Sequence, residues 1–251
     1  MAQRYFIYLS YNGTNYCGWQ VQPNGVSVQE VLSRSLSLIL RVNIVVVGAG
    51  RTDSGVHAKC MVAHFNVPEI ISNLDKLVLN LNKFLPPDIA IEKIVPVTLN
   101  DHARFTAVAR RYEYHIVLHK SPFLTNFACF IPYSLDFDKM NEAAAKLFNY
   151  EDFTSFSKLH TDTKTNLCKV TYARWEQVGE EWVFTIQANR FLRNMVRAIV
   201  GTLLMVGSGK LSIEDFCAII QTKNRCSAGP SMPACGLYLV DVLYNEKSLF
   251  A

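Results

Sequence analysis

A chain of 251 residues, 50% hydrophobic and 18% charged, can bury a core unaided, which excludes wholesale disorder and a disulfide-stapled miniature fold. The seven cysteines are odd in number and form no Cys-x-x-Cys pair, so scattered reduced thiols are expected rather than a disulfide framework or zinc knuckle. A net charge of +4, from 25 Lys and Arg against 21 Asp and Glu, leans mildly towards a polyanionic partner.

No apolar leader precedes the first strand pattern, and the apolar runs fall short of the roughly 18 residues of a membrane span. A cytoplasmic protein with no membrane partner is the expectation. Arg4 to Tyr11 alternates and is aromatic-rich, as a strand does. Ser27-Val28-Gln29-Glu30 reads as a capping box, followed by Val28, Val31, Leu32, Leu36, Ile39 and Leu40 at helical spacing. Two β-branched runs, Ile44 to Val47 and Met61 to Val67, enclose the loop Gly48 to Ala58. Leu74, Leu77, Val78 and Leu81 suit a helix stopped by Pro86-Pro87, and Ile89 to Val97 a strand.

The vocabulary then repeats. Arg110 to Leu118 reads as a strand and Phe137 to Tyr150 as a helix. Val170 to Glu176 and Trp182 to Ala188 read as strands turning at Gly179. Phe191 to Val206 and Ser212 to Gln221 read as helices, and Gly236 to Tyr244 as the last strand. This predicts an α+β fold of two mixed halves, residues 1–104 and 105–251, the first carrying the glycine loop.

That loop is Gly48-Ala49-Gly50-Arg51-Thr52-Asp53-Ser54-Gly55-Val56-His57-Ala58. Its glycines allow positive φ and close approach by a ligand. A dinucleotide fingerprint fails, because Asp53 stands where a third glycine is needed, and no Gly-Lys-Ser/Thr completes a Walker pattern. No nucleotide cofactor is therefore expected. Asp53-Ser54-Gly55 is also plain turn chemistry, which by itself accounts for the segment equally well.

The nine residues Gly50 to Ala58 closely resemble the signature of the TruA-type tRNA pseudouridine synthases. Further blocks agree in order: Tyr11-Asn12-Gly13 with Tyr16-Cys17-Gly18-Trp19-Gln20; His102-Ala103-Arg104-Phe105; Arg110-Arg111-Tyr112; Phe191-Leu192 with Met195-Val196-Arg197 and Gly201-Thr202-Leu203; and Gly236-Leu237-Tyr238-Leu239. Arg193-Asn194 and Ser231-Met232-Pro233 depart from the family's commonest Tyr-His and Thr-Ala-Pro.

The resemblance implies two similar α/β halves with largely antiparallel sheets around a central cleft. It implies a cofactor-free isomerase converting uridine to pseudouridine at tRNA positions 38 to 40, in the anticodon stem-loop, and working as a homodimer. It makes Asp53 the catalytic carboxylate, Arg197 its ion-pair partner and Tyr112 the ring that stacks on the target base. Desolvation disfavours an ionised carboxylate, and a nearby guanidinium restores it. Read as strand chemistry alone, Tyr112 is a half-buried strand aromatic.

On a helix from Phe191, Arg190, Arg193 and Arg197 fall within about 60° of one face, with Gly201 on the same side. A solvated basic face accounts for such a stripe. With the resemblance added, Arg190 and Arg193 are assigned to phosphates, as are Arg51 and Arg104, which flank the two active motifs and are candidates for holding flipped bases too. Leu237 and Leu239 are candidates for the pocket wall. His57, Cys60 and His64 have metal-like spacing but lack a fourth ligand, so no metal is expected. Trp19 suits a core or an RNA-facing position. Rival readings are a non-catalytic RNA-binding α/β module and a nucleotide hydrolase.

Overall fold

The computed structural model describes residues 2–158 and 165–245. In chain order they form β1 (Gln3–Tyr11), α1 (Val28–Leu40), β2 (Val47–Gly48), β3 (His57–Val67), α2 (Leu74–Phe84), β4 (Ile89–Val97), β5 (Ala107–Val117), β6 (Cys129–Phe130), α3 (Phe137–Lys146), β7 (Val170–Val178), β8 (Glu181–Ala188), α4 (Met195–Gly207), α5 (Ile213–Thr222) and β9 (Leu237–Tyr244). The fold is α+β with largely antiparallel strand pairing, as expected. Two compact units emerge, one of residues up to 109 with those from 239 onward, the other of residues 110–238. The last strand thus contributes to the first unit although it comes last in the chain. Its neighbour there is β3, a pairing between segments far apart in sequence.

In the first unit β1 lies between β3 and β4, antiparallel to both. The alternation of β1 matches its burial: Tyr5, Ile7, Leu9 and Tyr11 are buried, Tyr8 and Ser10 between them only partly, and Phe6 is buried on the opposite face. Helix α1 begins where Ser27 Oγ accepts the Glu30 N–H at 3.2 Å, and it buries Val28, Leu32 and Leu36. The run Ile44 to Val47 is mostly not a strand, since only Val47–Gly48 pair with β3. Serines of α1 take the backbone groups instead: Ser37 Oγ accepts from Ile44 N at 2.9 Å and Ser33 Oγ from Val46 N at 3.3 Å.

The second unit orders its strands β5-β8-β7, antiparallel, with β6 parallel to β5. Helix α4 is buried along most of its length. It begins at Met195 and not near Phe191, because Asn194 adopts the left-handed region at φ 67° and interrupts the helical path. The helical stripe expected of Arg190, Arg193 and Arg197 therefore does not form. Only Arg197 rides α4, and the other two precede it. Helix α5 carries a complete capping box between Ser212 and Asp215.

One buried titratable group gives the first unit a testable pH dependence. His64 of β3 accepts the Ala103 N–H at Nδ1, 3.2 Å away. Burial, with smaller contributions from Arg4 and His102, pushes its imidazole down to about 4. The folded value lies below the unfolded one, so the unfolded chain binds the proton more readily. Stability is then complete above the ordinary histidine value and drains as pH falls from there towards 4, by about 3 kcal/mol at most. His64→Asn keeps an acceptor near Nδ1 and removes the titration. Urea midpoints at pH 7 and pH 4.5 should show the wild type losing more than the variant, and equal losses would acquit His64.

Candidate active site

The Asp53 loop is held by its backbone. The Val56 N–H donates to Asp53 O at 3.1 Å, closing a turn whose third residue, Gly55, sits at φ 77°. A second loop, residues 12–19, is stapled against it. Trp19 N donates to Thr52 O at 3.2 Å, Gly55 N to Tyr16 O at 3.3 Å, and Ser54 Oγ to Tyr16 O at 3.2 Å. Gly18 lies at φ 82°, and a Cβ there would stand 2.4 Å from Thr52 O. Under the loop, the Tyr11 and Thr52 hydroxyls are hydrogen-bonded at 2.8 Å. The backbone around Asp53 is thus fixed from several sides, while the residue itself is half-buried and Arg51 is exposed beside it.

Trp19 is a core residue, 2% exposed, lying against Gly48 and tilted on Tyr11 with ring centres 6.2 Å apart. The residues of the cradle, Tyr11, Tyr16 and Gly18, were legible only as part of a resembling block. Their hydrogen bonds give them a reason: they set the shape of the Asp53 loop.

His57 and His64 do not converge on a metal. Seven residues of β3 separate them, about 23 Å at roughly 3.3 Å per residue. Each Nδ1 already accepts a backbone N–H, from Gly13 at 3.1 Å and from Ala103 at 3.2 Å respectively. Arg104 belongs to the turn at the His64 end of β3, where His102 Nδ1 accepts the Arg104 N–H at 3.1 Å. Its guanidinium lies 5.6 Å from the ring centre of Phe105, which is 75% exposed.

In the second unit Tyr112 lies on β5 opposite Ile186 of β8. Its half-buried ring meets Phe191 edge-on, with centres 5.1 Å apart and planes at 84°. Phe191 belongs to the link from β8 to α4, and so do Arg190, half-buried, and Arg193, exposed. The link is tied at both ends. Asn189 Oδ1 accepts the Lys169 N–H at 2.8 Å, and Arg193 O accepts that of Lys158 at 3.0 Å.

Arg197, in the first turn of α4, donates through Nε to Met232 O, and Met232 N donates back to Arg197 O at 3.2 Å. Gly201 on the next turn admits the same segment, since a Cβ there would stand 1.9 Å from Pro230 O. Leu237 and Leu239 alternate on β9 and are both buried. The candidate residues are therefore divided: Asp53, Arg51, Arg104 and Leu239 in the first unit; Tyr112, Arg190, Arg193, Arg197 and Leu237 in the second.

No helix of the described residues is long and apolar enough to cross a membrane. All seven cysteines are free thiols. A family model described as tRNA pseudouridine synthase matches residues 7–106 and 143–245. Those stretches contain the Asp53 loop and Arg197, and Tyr112 lies between them. The chain is 57% identical over 247 residues to a tRNA pseudouridine synthase A of Bacteroides fragilis, covering 98% of each chain. It is 55% identical over 245 residues to one of Parabacteroides distasonis, covering 98% of this chain and 97% of the relative. A Bacillus pumilus relative of the same name is 39% identical over 242 residues, covering 95% and 98%.

Proposed function

Because the chain belongs to the tRNA pseudouridine synthase family, an isomerase family acting on tRNA uridine, we propose that it acts on the anticodon stem-loop, at positions 38 to 40, with Asp53 as nucleophile. The observation that carries the reading is the Asp53 loop: its backbone is fixed by the 12–19 loop, yet its carboxylate-bearing residue is half-buried beside an exposed arginine.

The reaction is an isomerisation. The N1–C1′ glycosidic bond breaks, the uracil turns, and a C5–C1′ bond forms. C5 loses a proton and N1 gains one, so atoms and electrons balance with no oxidant, no net water and no cofactor. Asp53 initiates, Arg197 supplies the counter-charge that keeps the carboxylate ionised, and Tyr112 gives the displaced base a ring to stack on. Leu237 and Leu239 wall the pocket that retains the detached uracil. Arg51 and Arg104 hold phosphates or displaced bases, and Arg190 and Arg193 bind phosphates. The reading extends to a cytoplasmic homodimer whose basic surfaces share one tRNA.

The test is incubation of unmodified tRNA with the protein alone, followed by chemical mapping of pseudouridine. New pseudouridine confined to positions 38 to 40 is expected. Modification elsewhere would remove the anticodon stem-loop from the reading, and a monomer mass by light scattering would remove the homodimer.

The arginines make a separate expectation. Each phosphate neutralised should contribute a slope near the value of about 0.9 known for B-DNA to the fall of log affinity with log salt. Arg190→Ala and Arg193→Ala should each flatten that slope in tRNA titrations between low and moderate salt. Slopes equal to the wild type in both would place the β8–α4 link away from the RNA.

A further inference from the structure

The two segments that depart from the family's commonest pattern touch each other, through Asn194 and Ser231. Asn194 precedes α4 in the left-handed region, at φ 67°, and its side chain caps no helical N–H. Its Nδ2 donates to Ser231 Oγ. The same hydroxyl accepts from Arg225 at 2.9 Å, and Arg225 also holds Gly229 O at 3.1 Å. Gly229 N in turn donates to Thr202 Oγ1 of α4 at 2.9 Å. Pro233 O accepts the Tyr114 hydroxyl at 2.8 Å. The segment from Gly229 to Pro233 is thus a strap fastened along α4, and the next residue after Ser231 is Met232, whose carbonyl holds Arg197 Nε.

We propose that Asn194 and Ser231 are positioning residues for Arg197: their hydrogen bond sets the strap at the start of α4, so that Met232 O presents the guanidinium in one orientation. The argument is geometric. A guanidinium is a rigid planar fork, so fixing the direction of Nε fixes the directions of its remaining N–H groups. Asn194 sits three residues before Arg197 and Ser231 one residue before Met232, so one bond spans both ends of the Arg197–Met232 contact. The left-handed backbone at Asn194 turns its amide away from the helix axis and towards the strap, at a position where a helix start would ordinarily use its side chain as a cap. The inference rests on the reading that Arg197 serves the catalytic carboxylate.

The experiment is single-turnover conversion of unmodified tRNA with enzyme in excess, run beside tRNA affinity and melting temperature. Asn194→Gly keeps the left-handed backbone accessible and removes the amide. Ser231→Ala removes the acceptor, and Ser231→Thr restores a hydroxyl. Asn194→Gly and Ser231→Ala should each slow conversion roughly tenfold with tRNA affinity unchanged, a smaller loss than the 10²-fold that about 1 Å of misplacement can cause. The double variant should be no slower than Ser231→Ala alone, because that variant already removes the Asn194 bond together with the Arg225 contact, and Ser231→Thr should recover most of the rate. Wild-type rates in both singles, alongside an inactive Arg197→Ala, would overturn the positioning role. Rate losses that track lost melting temperature in every variant would also overturn it, as would a fully active Arg197→Ala, which sinks the reading of Arg197 itself.

Discussion

Replacing Asp53 with Asn is expected to abolish pseudouridine formation and to leave tRNA binding near the wild-type level. Asn is as suited as Asp to the first position of the turn that Val56 N closes on Asp53 O, so the loop should keep its path. Its other fastenings come from Tyr16, Trp19 and Tyr11, through Gly55 N, Ser54 Oγ and the carbonyl and hydroxyl of Thr52. What the substitution removes is the charge a nucleophile needs. Asp53→Glu keeps the charge but moves it by about a methylene, and a displacement near 1 Å can cost 10²-fold. Arg197→Lys should fall between the two, since Lys keeps a charge and loses the planar fork. Single-turnover conversion with enzyme in excess, measured beside affinity, separates chemistry from binding. Substantial conversion by Asp53→Asn would end the nucleophile assignment. Loss of binding in step with loss of conversion would favour a module that only holds RNA.

The parts of the fold legible in the sequence were those governed by local pattern. Ile89 to Val97 alternates and is a strand over that span. Leu74 to Leu81 keeps helical spacing, and α2 ends at Phe84, just ahead of Pro86-Pro87. Where the structure departs from local pattern, the causes are local and differ. Phe191-Leu192 and Met195-Val196 suit a helical period, yet Asn194 in the left-handed region starts the helix only at Met195. Ile44 to Val46 have strand composition, yet Ser33 and Ser37 of the preceding helix hold Ile44 and Val46 by their N–H groups. The pairing of β9 with β3 was not legible at all, because it joins segments far apart in the chain. Within the site, the Gly-Arg-Thr-Asp motif pointed at Asp53 directly. The Tyr11–Thr52 bond and the Gly18–Thr52 approach did not show, since they depend on two loops meeting that no spacing relates. The Asn194–Ser231 bond is the same kind of fact, visible beforehand only as two unrelated departures from a pattern.

Tyr112→Ala is expected to cripple conversion, and Tyr112→Phe to say why. The ring stands on β5 with Phe191 edge-on to it at 5.1 Å, a contact that depends on the ring and not on its hydroxyl. Phe at this position should therefore keep both the strand pairing opposite Ile186 and the ring's placement. Tyr112→Phe then isolates the hydroxyl. If that group moves a proton in the reaction, turnover should fall by about 10²–10⁴-fold with tRNA affinity retained. If stacking on the displaced base is the whole role, Tyr112→Phe should turn over nearly normally, and only Tyr112→Ala should fail. A base–aromatic stack is worth about 1–3 kcal/mol, so removing the ring should also weaken affinity for tRNA, by roughly 5- to 150-fold on that scale if the stack forms in the ground state. Rates and affinities for the wild type and both variants, measured on one tRNA at one salt concentration, distinguish these outcomes, and wild-type conversion by Tyr112→Ala would take this residue out of the site.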